Sequence, residues 1–151
     1  MKIWVTCLFL FLNLNTIAQG ERKELYPSHY SNSICKIDQV AVDSLINLTL
    51  HHQDDTVKVF WYNQLSMVYH YCKKDSALYF GLRALALAKQ LQYVNGICEA
   101  LESIGNYYGT YGTNEFEKSL QYYNEEATIA EKHKLDNKLQ DAFSCILNLY
   151  F

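Results

Sequence analysis

Tyr62-Asn63-Gln64-Leu65-Ser66-Met67-Val68-Tyr69 decides how this 151-residue chain folds, because its pattern occurs three times. Tyr62, Leu65, Ser66 and Tyr69 are spaced as aromatic-x2-aliphatic-small-x2-Tyr. Leu101, Ile104, Gly105 and Tyr108 repeat the spacing, and Phe143, Ile146, Leu147 and Tyr150 repeat it at the end of the chain. The step is 39 residues (62 to 101) and then 42 (101 to 143). Self-similarity at a period of roughly 20–50 residues is the mark of a repeat architecture, in which each unit buries its apolar face only by stacking on the next.

Composition agrees with helices. One proline and six glycines leave long stretches uninterrupted, and half the residues are hydrophobic, enough for a packed core. The thirteen tyrosines read as core wedges. The net charge of −3, with no basic cluster larger than the pairs Lys73-Lys74 and Arg22-Lys23, argues against nucleic-acid binding.

The N-terminus reads as an export signal. Lys2 gives a positive start, Ile3 to Leu14 is almost wholly apolar, and Thr16-Ile17-Ala18 supplies small residues for cleavage near Ala18. The run is short for a span of about 20 residues and is broken by Asn13 and Asn15; an uncleaved anchor is the alternative reading. Cys7 sits inside the apolar run, where a lipoprotein cysteine would not. The expected location of the mature chain, at about −4, is the periplasm or cell envelope. Cys35, Cys72, Cys98 and Cys145 remain after cleavage. Their wide, irregular spacing reads as free buried thiols, with one disulfide as the alternative, and no spacing suggests zinc or another metal.

In order, residues 1–18 are signal, 19–36 linker, 37–52 a helix without a repeat partner, and 56–151 repeats. These divide as 56–93, 94–135 and an incomplete 136–151. Helix 37–52 has an apolar face from Val40, Val42, Leu45, Ile46 and Leu48 to Leu50, with Asp38 and Asp43 early. It reads as a cap over the first repeat, since stacked arrays need covered ends. His51-His52-Gln53-Asp54-Asp55 breaks the pattern and reads as a solvated turn rather than a metal site, because adjacent residues do not converge on a helix. Asp54 or Asp55 is expected to cap the next helix. Asp75 or Ser76 is expected to cap the helix from Ala77, and Asn114, with Glu117, the helix after the Gly109–Gly112 turn.

The chain resembles the tetratricopeptide repeat family, whose first helix reads W-x2-L-G-x2-Y and whose second carries A-x3-F and a further small residue. Gly105 is the clearest match and Ser66 takes the same role in the first copy. Ala77 and Ala84 match the small positions of the first copy's second helix; Ser119 and Tyr123 match the small and aromatic positions of the second copy. Leu147, Gly81 and Glu126 depart from the pattern: the first and third stand at small positions and Gly81 at an aromatic one. No proline closes a repeat, and the period exceeds the family's usual value of about 34. The fold implied is an all-α solenoid of about two and a half extended repeats; a generic array of helical hairpins is the alternative.

By that resemblance the chain is a non-catalytic scaffold for a protein or peptide partner, needing no cofactor. The groove implied is lined by Asn63, Met67, His70, Glu102, Asn106 and Asn148, or these are ordinary solvated positions. One subclass of the family clamps a chaperone's C-terminal carboxylate with basic and Asn side chains. The matching positions here, Asn63, Met67, Ser103, Asp141 and Cys145, contain no Lys or Arg, so an acidic lining favours a neutral or basic partner. Catalysis has little support. Glu125-Glu126 and Glu131 read as surface carboxylates, His70 and Cys72 diverge on a helix, and no phosphate-cradling glycine loop occurs. Ile146, Leu149, Tyr150 and Phe151 are expected to be uncovered and available for association. The order of signal, linker, cap and repeats also resembles the sensory front of exported signalling proteins that continue into a histidine kinase or a DNA-binding regulator. The chain is then the front of such a protein, or a gene fragment without independent activity.

Overall fold

The computed structural model of the protein describes residues 39–70, 74–109 and 115–150, all within the unit Cys35–Phe151. The signal and linker segments, the first residues of the 37–52 helix, Cys35, Cys72, Asn114 and Phe151 lie outside the described residues. The described residues form an all-α structure of six helices. These are α1 (Gln39–His51), α2 (Thr56–His70), α3 (Lys74–Gln90), α4 (Val94–Gly109), α5 (Phe116–His133) and α6 (Asp136–Tyr150). Each packs on the next in sequence from α1 to α6, and α2 also meets α4, as α4 meets α6.

The helix starts follow local chemistry. Asp55 caps α2 as expected: its Oδ1 accepts from the backbone N–H of Val57 at 2.9 Å and of Lys58 at 3.1 Å. Two starts differ from the sequence expectation. The α3 helix begins at Lys74, so Asp75 lies in its first turn, where it faces the positive end of the helix dipole rather than capping it. The cap residue of α5 is Glu115, not Asn114, and it makes no side-chain cap bond; its carboxylate pairs with Lys118 one turn on.

Two helices end the same way. Gln92 (φ 55°) and Lys134 (φ 57°) adopt the left-handed conformation just past α3 and α5. Tyr93 N–H reaches back to Ala88 O at 2.9 Å and Gln92 N–H to Lys89 O at 3.2 Å; Leu135 N–H reaches Ala130 O at 2.9 Å and Lys134 N–H Glu131 O at 3.1 Å. This pair of crossing bonds is the Schellman ending, which usually carries glycine. A side chain there costs about 1 kcal/mol. Gln92→Gly and Lys134→Gly are therefore each expected to raise stability by about 0.5–1 kcal/mol in denaturant titrations; lower stability in either variant contradicts the assigned turn.

The core is built from Val59, Leu65, Leu101 and Ile104, all fully buried, with Ala77, Ala84, Ala88, Ala100, Ala130 and Ala142 at the helix contacts. Alanine removes little bulk-filling power but lets helices approach closely. The pairs α2/α3 and α4/α5 share two contacts at matching positions. Tyr69 stacks on Phe80 at 5.7 Å and 7°, and Tyr108 stacks on Tyr122 at 5.6 Å and 1°. Ser66 Oγ donates to Ala77 O at 2.8 Å, and Ser119 Oγ donates to Gly105 O at 2.8 Å. The serine sits on the first helix of one pair and on the second helix of the other, but each hydroxyl bridges the same gap.

The unequal sequence step has a simple origin. From the first pair to the second, first-helix landmarks step by 39 (Tyr69 to Tyr108) and second-helix landmarks by 42 (Phe80 to Tyr122), and the next first-helix step, Leu101 to Phe143, is again 42. The connection inside the first pair is residues 71–73, and inside the second it is 110–115, three residues longer.

Gly105 is buried against the ring of Tyr123; a Cβ there falls 2.5 Å from Tyr123 Cε1. Gly81 holds the position corresponding to Tyr123, and its face is occupied from the other side, by Ile104 Cγ1 and Ser66 Oγ at 3.1 and 3.2 Å from a built Cβ. Ile104 of α4 and the Ser66 hydroxyl thus fill the space beside Gly81, where an aromatic was expected.

In α1, Val42 is buried with Leu65, Tyr69 and Ala77, and Leu45 and Ile46 pack beside it. Val40 and Leu50 face outward, at 76% and 71% exposure. In α6, Ala142 is buried and Ile146 and Leu149 are half-buried. This corrects the expectation that Ile146 and Leu149 are uncovered: α6 packs on both α5 and α4, and Leu149 Cδ2 lies beside Gly109. The outward face is Tyr150, as expected, together with Phe143 and Leu147, and Leu139, Phe143 and Leu147 line a shallow open cleft. Phe116 meets the Tyr150 ring edge-on at 5.2 Å.

Candidate functional site

Three helices turn a polar row to the same side of the molecule. On α2, Asn63, Met67 and His70 are spaced i, i+4, i+7, so they share a face. On α4, Glu99, Glu102 and Asn106 share a face at i, i+3, i+7, and on α6 Lys138, Asp141, Cys145 and Asn148 follow at i, i+3, i+7, i+10. Direct contacts join the rows. Asn63 Nδ2 donates to Glu99 Oε2 at 3.3 Å. Lys138 Nζ lies 3.6 Å from both Glu99 Oε1 and Asp141 Oδ2. The seam therefore runs unbroken from α2 across α4 to α6.

Its floor comes from α5. Tyr123 OH donates to Asn106 Oδ1 at 2.6 Å. Glu126 is fully buried, and neither Oε1 nor Oε2 has a hydrogen-bond partner. It occupies the inward stripe of Ser119, Tyr123, Ala127 and Ala130. The reading of Glu126 as a surface carboxylate is thereby corrected: the stripe turns it toward α4 and α6, while Glu125 remains on the surface and pairs with Lys89 of α3 at 3.2 Å.

The electrostatics follow from that burial. Loss of water, reinforced by the neighbouring Glu102 carboxylate, pushes the Glu126 carboxyl up to about 9, against a partial opposing pull from Lys138. Glu126 is therefore neutral near pH 7. Lys138 is desolvated, which alone lowers its affinity for a proton, but Glu99, Glu102, Asp141 and Glu126 outweigh this and hold it charged. Burial also raises the thiols: Cys98 to about 11, with Glu126 adding to the effect, and Cys145 to about 12, with Glu102 adding. Both are free thiols and, being protonated, are poor nucleophiles.

The six expected groove residues divide. Asn63 is buried at 2% exposure, Glu102, Asn106 and His70 are half-buried, and Met67 and Asn148 are exposed. Asn63 and Asn106 are tied into the seam by the bonds above. The sequence reading missed Glu99 and Lys138, which no repeat pattern singles out; Glu126 was visible as a carboxylate at a position that the repeat gives to a small residue. The double histidine lies elsewhere. His51 is exposed at the end of α1, and the His52 ring meets Trp61 edge-on at 4.7 Å, with Nδ1 3.6 Å from Asp55. Among the described residues, no three His, Cys, Asp or Glu side chains converge closely enough to hold a metal ion, and no helix is long and apolar enough to cross a membrane.

No protein-family model, curated protein or solved structure matches this chain.

Proposed function

We propose that the chain is a non-catalytic scaffold of the tetratricopeptide-like kind, an α-solenoid that receives a peptide or a protein segment along its polar seam. The observation that carries this reading is the row itself. Asn63, Glu99, Lys138 and Asp141, from three alternate helices, form one connected polar surface, whereas α3 and α5 back them. The matched Tyr69–Phe80 and Tyr108–Tyr122 stacks and the matched serine–carbonyl bonds support the repeat. In this reading α1 is the cap of the array, its Val42 face laid on the first pair. The scaffold works in the cell envelope, reached by the signal at residues 1–18. The sensory front of a larger signalling protein is the same surface in a different setting.

The test is selection of ligands from a randomised peptide library displayed against the full-length protein. Recovery of peptides whose binding is weakened by Asn106→Ala or Glu102→Gln supports the reading. Failure to enrich any peptide, or enrichment indifferent to both substitutions, overturns it.

A further inference from the structure

The seam is short of hydrogen-bond donors and of positive charge. Glu99, Glu102, Glu126 and Asp141 face it from α4, α5 and α6; among the seam residues named above Lys138 is the one Lys or Arg, shared between Glu99 and Asp141, with His70 at the α2 end. Three buried side-chain polar atoms without a partner occur among the described residues, and all three are oxygens of this seam: Asn63 Oδ1 and Glu126 Oε1 and Oε2. The orientation of Asn63 is fixed by its bond to Glu99, because only its NH2 end can donate to a carboxylate. Unpaired buried oxygens cost free energy that a donor would recover.

We propose that the seam between α2, α4 and α6 is a recognition site for a basic side chain, Arg or Lys, of a bound peptide. The proposal rests on the scaffold reading above and names what that scaffold selects. Such a side chain carries donors and no acceptor, the complement of the unpaired Asn63 and Glu126 oxygens, and it adds positive charge to a seam whose acidic groups outnumber its lysine. A guanidinium suits the site better than an ammonium, because its planar fork serves two acceptors at once. Half-buried Glu102 and Asp141 meet the incoming group, and Glu126 receives it at the floor. The convergence required for a metal ion is missing among the described residues, whereas an organic cation spans the wider spacing.

Binding then has a proton signature. Next to a cation, Glu126 ionises and hands its proton to solvent. The probes are two short labelled peptides of Gly and Ser that differ only in carrying an Arg pair or a Gln pair. The Arg peptide is expected to bind the full-length protein at least roughly tenfold more tightly, with an affinity that falls as salt rises. The preference is expected to vanish in Glu102→Gln and in Asp141→Asn, both at half-exposed positions where folding is little affected. Calorimetry in buffers of different ionisation enthalpy is expected to show proton release near neutral pH for the wild type and none for Glu126→Gln. Equal binding of the two peptides, an Arg preference that survives both substitutions, or an absence of proton release each overturns the proposal. If library selection yields binders without basic residues, the scaffold reading stands and this proposal fails; if nothing binds, both fail.

Discussion

Gly105→Ala is expected to destabilise the protein by about 1–3 kcal/mol, and Gly105→Leu by more. The added Cβ lies 2.5 Å from Tyr123 Cε1 and 2.8 Å from Cδ1, so the ring must move. It has little room. Tyr123 is 3% exposed and its hydroxyl is bonded to Asn106 at 2.6 Å on the same helix as Gly105. The clash must also overcome a gain, because alanine is about 1 kcal/mol better than glycine inside a helix. The sign therefore depends on the ring. In a Tyr123→Ala background, Gly105→Ala is expected to become stabilising by up to about 1 kcal/mol. Denaturant unfolding of the four proteins in this cycle checks the claim, and a Gly105→Ala effect of the same sign in both backgrounds contradicts the contact between α4 and α5.

The second large effect is in pH. Burial pushes the Glu126 carboxyl up to about 9 in the folded chain, against an ordinary value of 4.5. Between these values the folded chain holds the proton and the unfolded chain has lost it. Stability through this group therefore falls as pH rises from about 4.5 to about 9, and is flat on either side. Glu126→Gln cannot titrate. Relative to this variant, the wild type is expected to lose about 2–4 kcal/mol between roughly pH 5 and pH 8. The groups that face Glu126 are present in both proteins and largely cancel from the comparison: Glu99, Glu102 and Cys98 on α4, Lys138, Asp141 and Cys145 on α6, and Tyr123 on its own helix. Parallel stability curves for the two proteins contradict a buried neutral Glu126.

The two effects show what the sequence made legible. Leu65, Leu101, Ile104, Tyr62 and Tyr69 were readable as core from spacing alone, because helical periodicity sorts apolar residues onto one face. Gly105 was readable as a small position and Tyr123 as an aromatic one, but that the two meet shows only in the packed structure. Three things were not. The start of α3 at Lys74 was hidden because Asp75 is equally at home as a cap and in a first turn. The coverage of Ile146 and Leu149 depends on α6 touching α4 as well as α5, a contact with no local signature. The seam was half visible. Asn63, Glu102 and Asn106 fall out of helix register, but Glu99 and Lys138 acquire their role only when α4 and α6 are brought side by side. Glu126 breaks a small-residue position, and such a breach of the local pattern is where function is expected to sit.

The most direct test of the scaffold reading is amide chemical-shift mapping of the full-length protein with the Arg-pair peptide, read helix by helix. The account predicts shifts concentrated on α2, α4 and α6 around Asn63, Glu99, Glu102, Asn106 and Asp141, with the outward faces of α3 and α5 unmoved. Shifts confined to Phe143, Leu147 and Tyr150 on the outer face of α6, or scattered over α3 and α5, would contradict it.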